Sequence, residues 1–404
     1  MNSRGELPGP TVERLLDVLT PTEIDLAPDG TRIAFALHAT VAETGSFPPS
    51  DLWMIEGGEP TQLTGGPWSD RTPAWSPDGS RVAFLSDRIA PGHQQPYTMV
   101  PGGEPVLAGT LEGSAESVSW SGDGKRLLVL AADSGCYGLD WSARAVTGAG
   151  PTPDPRVLRP GQARRRVFII ELGSGDSAEV GPPGTDVWEV DWDGDATALA
   201  IASTDPPGGS GWYCAKVVRL DLDARTAHTV YEPTWQIEWL ALSPDGGRVA
   251  VTEGYASDHG LLSGSLMIVD LTDGTTTDPW TGLETIGGAG WCDDSSLWYA
   301  RCDGTGTACG RIWLDGRREE RWRGDAFIGG EVTTPMCSVS SGAVDVWTTH
   351  QAHGQPPELA RFDQASGAGH ASRRSTTPSW PTRSSPTSER SAGMRRTGSR
   401  SRGC

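Results

Sequence analysis

Short runs of alternating apolar and polar residues recur along the chain, and the same polar turn breaks each of them. Leu26-Ala-Pro-Asp-Gly-Thr-Arg-Ile-Ala-Phe35 is followed by Trp75-Ser-Pro-Asp-Gly-Ser-Arg-Val-Ala-Phe84 and Trp120-Ser-Gly-Asp-Gly-Lys-Arg-Leu-Leu-Val129. A fourth copy is Leu242-Ser-Pro-Asp-Gly-Gly-Arg-Val-Ala-Val251. An apolar strand, an Asp-Gly pair that supplies a positive φ, and a returning β-branched or aromatic run predict a strand, tight turn and strand in each copy. Self-similarity at a period of roughly 40–50 residues marks a repeat architecture.

Weaker copies fill the intervals. Val187-Trp-Glu-Val-Asp-Trp-Asp-Gly194 carries a degenerate turn, Gly290 to Ala300 a worn one, and Thr333 to Phe362 the faintest. From Asp29 the turn-to-turn spacings are 49 and 45 residues to Asp78 and Asp123, 70 to Asp193, then 52 to Asp245 and 49 to Asp294. The long interval holds a Gly/Pro-rich insertion, Asp133 to Arg165, read as loop. Four short strands use about this much chain, and radial repetition protects their edges. The expectation is an all-β, seven-bladed β-propeller over residues 23–369. Thr11 to Leu19, with apolar residues at 12, 15, 16 and 19, predicts a short helix in an N-terminal segment 1–22.

Composition changes the picture in three ways. The 53 Gly and 31 Pro suit a turn-rich β chain, and 17 Trp supply core bulk. A net charge of −19 argues against nucleic acid and anionic membrane surfaces as partners. There is no apolar run near membrane-spanning length and no apolar stretch in Met1 to Pro10 of the kind a secretory signal needs. The seven cysteines (136, 214, 292, 302, 309, 337, 404) form no Cys-x-x-Cys pair, so thiols in a reducing cytoplasm are expected, although Cys302 and Cys309 could pair across a hairpin.

Residues 370–404 differ sharply, with 8 Arg and 9 Ser against a single Glu. The preceding chain has 25 basic residues (33 − 8) and 51 acidic ones (52 − 1), a net of −26. Such a tail reads as a disordered basic arm. It also reads as a gene translated out of frame. With GC-rich codons shifted two bases, Arg374 to Arg390 becomes AVDDPELADEIVADVGA and Ser391 to Cys404 becomes ERRDASDGIEIEGM, acidic and apolar like the rest. A frameshifted tail is the expectation.

Catalytic chemistry is hard to find. The turn pairs Asp29-Gly30, Asp78-Gly79, Asp123-Gly124 and Asp245-Gly246 are expected to be structural, the carboxylate bonding its own backbone. Trp75 and Trp120 are expected to fill the space between blades. No serine has Gly at both −2 and +2, which a nucleophile elbow requires, and no strand–helix alternation follows. His350-x-x-His353 lies in a Gly/Pro-rich stretch without a third ligand at sensible spacing, so both histidines are expected in solvated loop. No phosphate loop, dinucleotide fingerprint or His-Glu-x-x-His motif occurs. Catalytic, cofactor and metal residues are all expected to be absent.

Residues 11 to about 369 resemble the N-terminal propeller of serine peptidases of the prolyl oligopeptidase family, nearest the acylaminoacyl-peptidase and dipeptidyl aminopeptidase branch. Arg71-Thr-Pro-Ala-Trp-Ser-Pro-Asp-Gly-Ser-Arg-Val-Ala-Phe-Leu-Ser-Asp-Arg88 and the other Ser-Pro-Asp-Gly turns carry the likeness, with the initial helix and the insertion in the third repeat. TolB propellers share the turns; the Leu-Ser-Asp-Arg ending is more characteristic of the peptidases. The resemblance implies a propeller that admits peptides to a covalently linked α/β-hydrolase domain bearing Ser, Asp and His. The shifted text ending ASDGIEIEGM is similar to that family's linker. No residue here matches the triad, so the chain itself is expected to be inactive and to leave an apolar face open to association. A stand-alone propeller that binds a protein or peptide is the alternative.

Overall fold

A computed structural model describes residues 19–39, 49–133, 136, 163–204, 209–256, 259, 263–280, 286–329, 338–339, 345–352 and 355–363. Seven antiparallel sheets follow one another along the chain. Blade 1 is Leu19–Leu26, Arg32–Ala39, Ser50–Glu56 and Thr61–Gln62; blade 2 is Asp70–Trp75, Val82–Ala90, His93–Met99 and Val106–Leu107. Blade 3 is Ser114–Trp120, Arg126–Ala132, Arg165–Glu171 and Asp176–Glu179, and blade 4 is Asp186–Trp192, Thr197–Ser203, Lys216–Asp221 and Thr226–Tyr231. Blade 5 is Gln236–Leu242, Arg248–Gly254, Ser265–Asp270 and Thr276–Thr277, and blade 6 is Gly288–Asp293, Ser296–Asp303, Gly306–Trp313 and Arg318–Gly324. In blade 7, Ala326–Ile328 and Ser338–Val339 both pair with one edge of Asp345–Ala352, and Gln355–Asp363 pairs with the other.

From blade 1 to blade 6 the first strand of each blade touches the first strand of the next, and Ser338–Val339 of blade 7 touches the first strands of blades 6 and 1, so these strands form the inner wall. The second strands sit between neighbouring blades and are therefore apolar on both faces. Leu127, Val129 and Ala131 pack toward blade 2, while Leu128 and Leu130 pack toward blade 4. Leu199 and Ile201 pack toward blade 5, and Ala198, Ala200 and Ala202 toward blade 3. Strict alternation would leave one face polar; burial on both faces removes it.

Blade 7 contributes no strand to blade 1, nor blade 1 to blade 7, among the described residues. Side chains close the ring instead: Leu26, Ile33, Phe35 and Leu37 of blade 1 meet Trp347 and Leu359 of blade 7.

Two boundaries and one element differ from the sequence reading. The propeller begins at Leu19, not 23, because Leu19 to Thr22 pair with Ala36 to Ala39 and Thr20 and Thr22 are buried. The remainder of the expected helix lies outside the described residues, as do the insertion's interior and the tail 370–404. Blade 7 starts earlier than Thr333, at Ala326, and a short 3-10 helix, Gly209–Cys214, was not anticipated. Apart from that turn, the described residues contain no helix.

Candidate functional site

The repeated phrase builds one local structure four times. In blade 2 the Gly79 N–H donates to the Ser76 carbonyl at 2.8 Å and the Ser76 N–H to the Arg81 carbonyl at 2.9 Å. Asp78 accepts from the Ser76 hydroxyl at 2.6 Å and from the Ser80 N–H at 3.0 Å, while Ser76 Oγ accepts from the Arg81 N–H at 2.9 Å. These bonds, the Ser76 hydroxyl foremost, hold the Asp78 carboxyl down to about 2. Asp123 and Asp245 repeat the pattern with Ser121 and Ser243, and Asp29 turns on Thr31. Gly30, Gly79, Gly124 and Gly246 all have φ between 66° and 70°, where a Cβ is disfavoured. All eight positions are thus spent on the turn.

In three of the four phrases the arginine does something the sequence did not announce. Arg32 lies 4.6 Å from the Trp75 ring centre, Arg81 4.8 Å from Trp120 and Arg126 5.1 Å from Trp192, each arginine covering the indole of the following blade. Arg81 also donates to the Gly124 carbonyl at 2.8 Å and Arg126 to that of Asp195 at 2.9 Å. In return, Trp120 Nε1 donates to the Ala74 carbonyl at 2.9 Å, and Trp291 Nε1 to that of Ala241 at 2.9 Å. Both Trp75 and Trp120 are buried, as expected. The phrase is an inter-blade clamp built of cation–π contacts and hydrogen bonds.

The Leu-Ser-Asp-Arg ending has a second structural task. Arg88 straddles the fully buried Asp70 at 2.8 and 2.7 Å, with Ser86 Oγ donating to the same carboxylate. Asp87 accepts from the Ser69 N–H at 2.7 Å and the Gly92 N–H at 2.9 Å. The motif fastens the start of the inner strand to the loop after the second.

Along the inner wall, carboxylates reach from one blade to the next. Glu23 accepts from Arg71 at 2.6 Å and the Thr72 N–H at 2.7 Å; Glu189 accepts from the Trp239 and Leu240 N–H groups, both at 2.9 Å. The inner strands bulge here, with Glu23, Thr72 and Trp239 at positive φ, which frees backbone N–H groups from the ladder. Asp25 accepts from the Trp75 N–H at 2.6 Å, and burial pushes its carboxyl up to about 6. Burial also raises Glu189 and Asp191. Sequence reading missed these carboxylates; their one signal is an acidic residue inside a strand.

None of this assembles a nucleophile, base and oxyanion hole. Burial pushes the Cys292 thiol up to about 11 and Cys136 to about 12, making them inert, and Cys309 is raised too. Cys302 and Cys309 are free: Cys302 stands opposite Thr307 and Cys309 opposite Ala300, one thiol exposed and the other buried. His350 is not in solvated loop. It lies within the strand Asp345–Ala352, buried, 3.6 Å from Glu358 and edge-on to Trp322, because blade 7 folds further along than its worn sequence suggests. His353 lies outside the described residues. The described residues contain no cluster of three metal-ligating side chains and no helix long and apolar enough to cross a membrane.

No protein-family model matches the chain. An uncharacterized peptidase of Bacillus subtilis, YuxL, is 35% identical over 85 residues, which are 19% of this chain and 12% of that protein. Acylaminoacyl peptidase of Pyrococcus horikoshii superposes with a TM-score of 0.60 at 12% identity, covering 86% of this chain and 52% of its own. The fold of this chain, a seven-bladed propeller, is similar to part of that acylaminoacyl peptidase structure. It is not confined to peptidases: an oligogalacturonate lyase in complex with manganese matches with a TM-score of 0.62 at 14% identity, over 87% of this chain and 91% of its own. The chain spans about half the length of the acylaminoacyl peptidase it matches.

Proposed function

We propose that residues 19–363 are the propeller part of a serine peptidase of the prolyl oligopeptidase kind, screening substrates by size so that short peptides but not folded proteins reach a hydrolase domain. The observation that carries the reading is the pairing of an acylaminoacyl-peptidase propeller fold with a local sequence match to a named peptidase. The Asp70–Arg88 lock adds support, since it gives a structural reason for the Leu-Ser-Asp-Arg ending that carries the resemblance. The fold alone would serve a lyase equally well.

On this reading the propeller does no chemistry of its own. The acyl-enzyme route of such peptidases needs a serine presented at an elbow and a histidine beside it, and no serine in the sequence sits in that frame. The basic tail is proposed to be out of frame, and its composition shift after residue 369 is what supports that.

Sequencing the locus on both sides of the codons for Gly367 to Ser375 tests the proposal. The expected result is a shifted frame that runs on into a hydrolase sequence with Gly-x-Ser-x-Gly. A gene that encodes the tail as it stands, matched by intact mass, with no such sequence beyond, would sink it. Purified chain is expected to leave acyl-amino-acid and aminoacyl chromogenic substrates uncleaved; turnover abolished by a serine-directed phosphonate would place the chemistry inside the propeller and overturn the reading.

A further inference from the structure

The two most exposed aromatic side chains of the described residues stand together on the face where inner strands begin and second strands end. Trp235, just before the inner strand of blade 5, is 52% exposed, and Tyr255, just after the second strand, is 81% exposed. Their rings meet edge to face with centres 5.7 Å apart.

This pair is held in place. The buried Glu253 carboxylate accepts from the Thr234 N–H at 2.8 Å and the Trp235 N–H at 3.0 Å, and the Tyr231 hydroxyl donates to its other oxygen. On the far side the Ala256 N–H donates to Gln236 Oε1 at 3.1 Å. One carboxylate two residues before Tyr255 thus fixes the backbone on which Trp235 is mounted. Rings already fixed lose little freedom when a partner covers them, the condition under which Trp and Tyr dominate binding energy.

The molecule's own habits say what would cover them. Trp75, Trp120, Trp188, Trp192, Trp280 and Trp313 each carry an arginine of this chain within 4.6–5.1 Å of a ring centre. No cation of the described residues lies over Trp235 or Tyr255. Up to residue 369 the chain carries a net charge of −26, so an approaching cation is attracted rather than repelled. The nearest lysine in sequence, Lys216 of blade 4, is taken up by Glu232 at 2.9 Å.

We propose that the Trp235–Tyr255 ledge docks an arginine-bearing extended segment of a partner protein, the guanidinium stacking on the exposed rings as the chain's own arginines stack on its buried ones. The proposal does not depend on the peptidase reading, since a propeller without a hydrolase domain would present the same ledge.

The test is fluorescence anisotropy of a labelled, short Arg-Gly repeat peptide titrated with the full chain. The Arg-Gly peptide is expected to bind more weakly at high salt, and a Glu-Gly peptide not to bind. Trp235→Ala and Tyr255→Ala are each expected to weaken binding by about 3–10-fold, the range of a single cation–π contact. Tyr255→Arg, which places a cation on Trp235 from within, should weaken it at least as much, while Ile89→Ala, an exposed apolar residue on blade 2, should not change it. Equal binding by the Glu-Gly peptide, or unchanged affinity in all three ledge variants, overturns the proposal. So does a concentration-dependent dimer lost in Trp235→Ala, which would make a second copy the occupant. Peptide binding that appears only after the arginines between Arg373 and Arg402 are changed to Gln would make the chain's own tail the occupant, and would overturn it too.

Discussion

At the residue scale the carboxylates divide by where their hydrogen-bond partners lie. Turn aspartates such as Asp78 are exposed and surrounded by donors, which hold them low. Asp25 is bonded only by the backbone of Trp75 and Leu26 and is otherwise enclosed, so burial dominates and raises it to about 6. The folded state therefore keeps a proton that the unfolded chain releases near 3.8, and stability falls as pH rises through this window, by about 2–3 kcal/mol at most. Asp25→Asn retains an acceptor for the Trp75 N–H and removes the charge. It is expected to raise the urea midpoint at pH 8 and leave it unchanged below pH 4; an equal gain at both would refute the burial account. Gly79 is a second test. Its φ is +66°, and a Cβ there would come within 2.8 Å of Arg32 Nη2. Gly79→Ala is expected to cost about 1–3 kcal/mol, measured by urea unfolding, even though the residue lies in a turn.

At the element scale the second strand of each blade carries most of the packing. Leu130 in Arg126–Ala132 is wholly buried between blades 3 and 4. Leu130→Ala should cost about 2–5 kcal/mol in urea unfolding, the range for a core cavity, whereas truncating the exposed Val106 on the outer strand of blade 2 should cost little. The strands and the Asp-Gly turns were legible because each obeys a local rule: period-two apolarity, then a residue pair that tolerates positive φ. What escaped notice was non-local. The inner-strand bulges look like ordinary strand in the sequence, and only the adjacent blade shows why Glu23 and Glu189 occupy them. His350 escaped for the opposite reason: Gly354, Pro356 and Pro357 nearby signal a turn, but pairing with Gln355–Asp363 draws the histidine into a strand.

At the scale of the whole molecule, six junctions join blades consecutive in the chain, and the seventh joins the first to the last. Several of the six are reinforced by arginine–tryptophan stacking or carboxylate latches; the blade 7 to blade 1 junction rests on Phe35, Trp347, Leu359 and their neighbours. Trp347→Ala is expected to loosen that junction first. Native-state hydrogen exchange should then show backbone amides of Arg32–Ala39 and Asp345–Ala352 losing protection ahead of those in Thr197–Ser203. Uniform loss of protection around the ring would instead mean that all seven junctions open together.

The sequence by itself determined the blade and its repetition, because turn chemistry and apolar period act within a few residues of each other. It also determined that no serine sits in an elbow, since that motif is local too. Only the tertiary structure decided that the arginine of one phrase covers the tryptophan of the next, since Arg32 and Trp75 are 43 positions apart and Arg81 and Trp120 are 39. Tertiary structure likewise decided which aromatic residues are core and which are ledge. Trp75 and Trp235 both sit at strand ends in the sequence, but a neighbouring blade covers one and solvent the other. Burial belongs to the assembled ring, and no single repeat contains it.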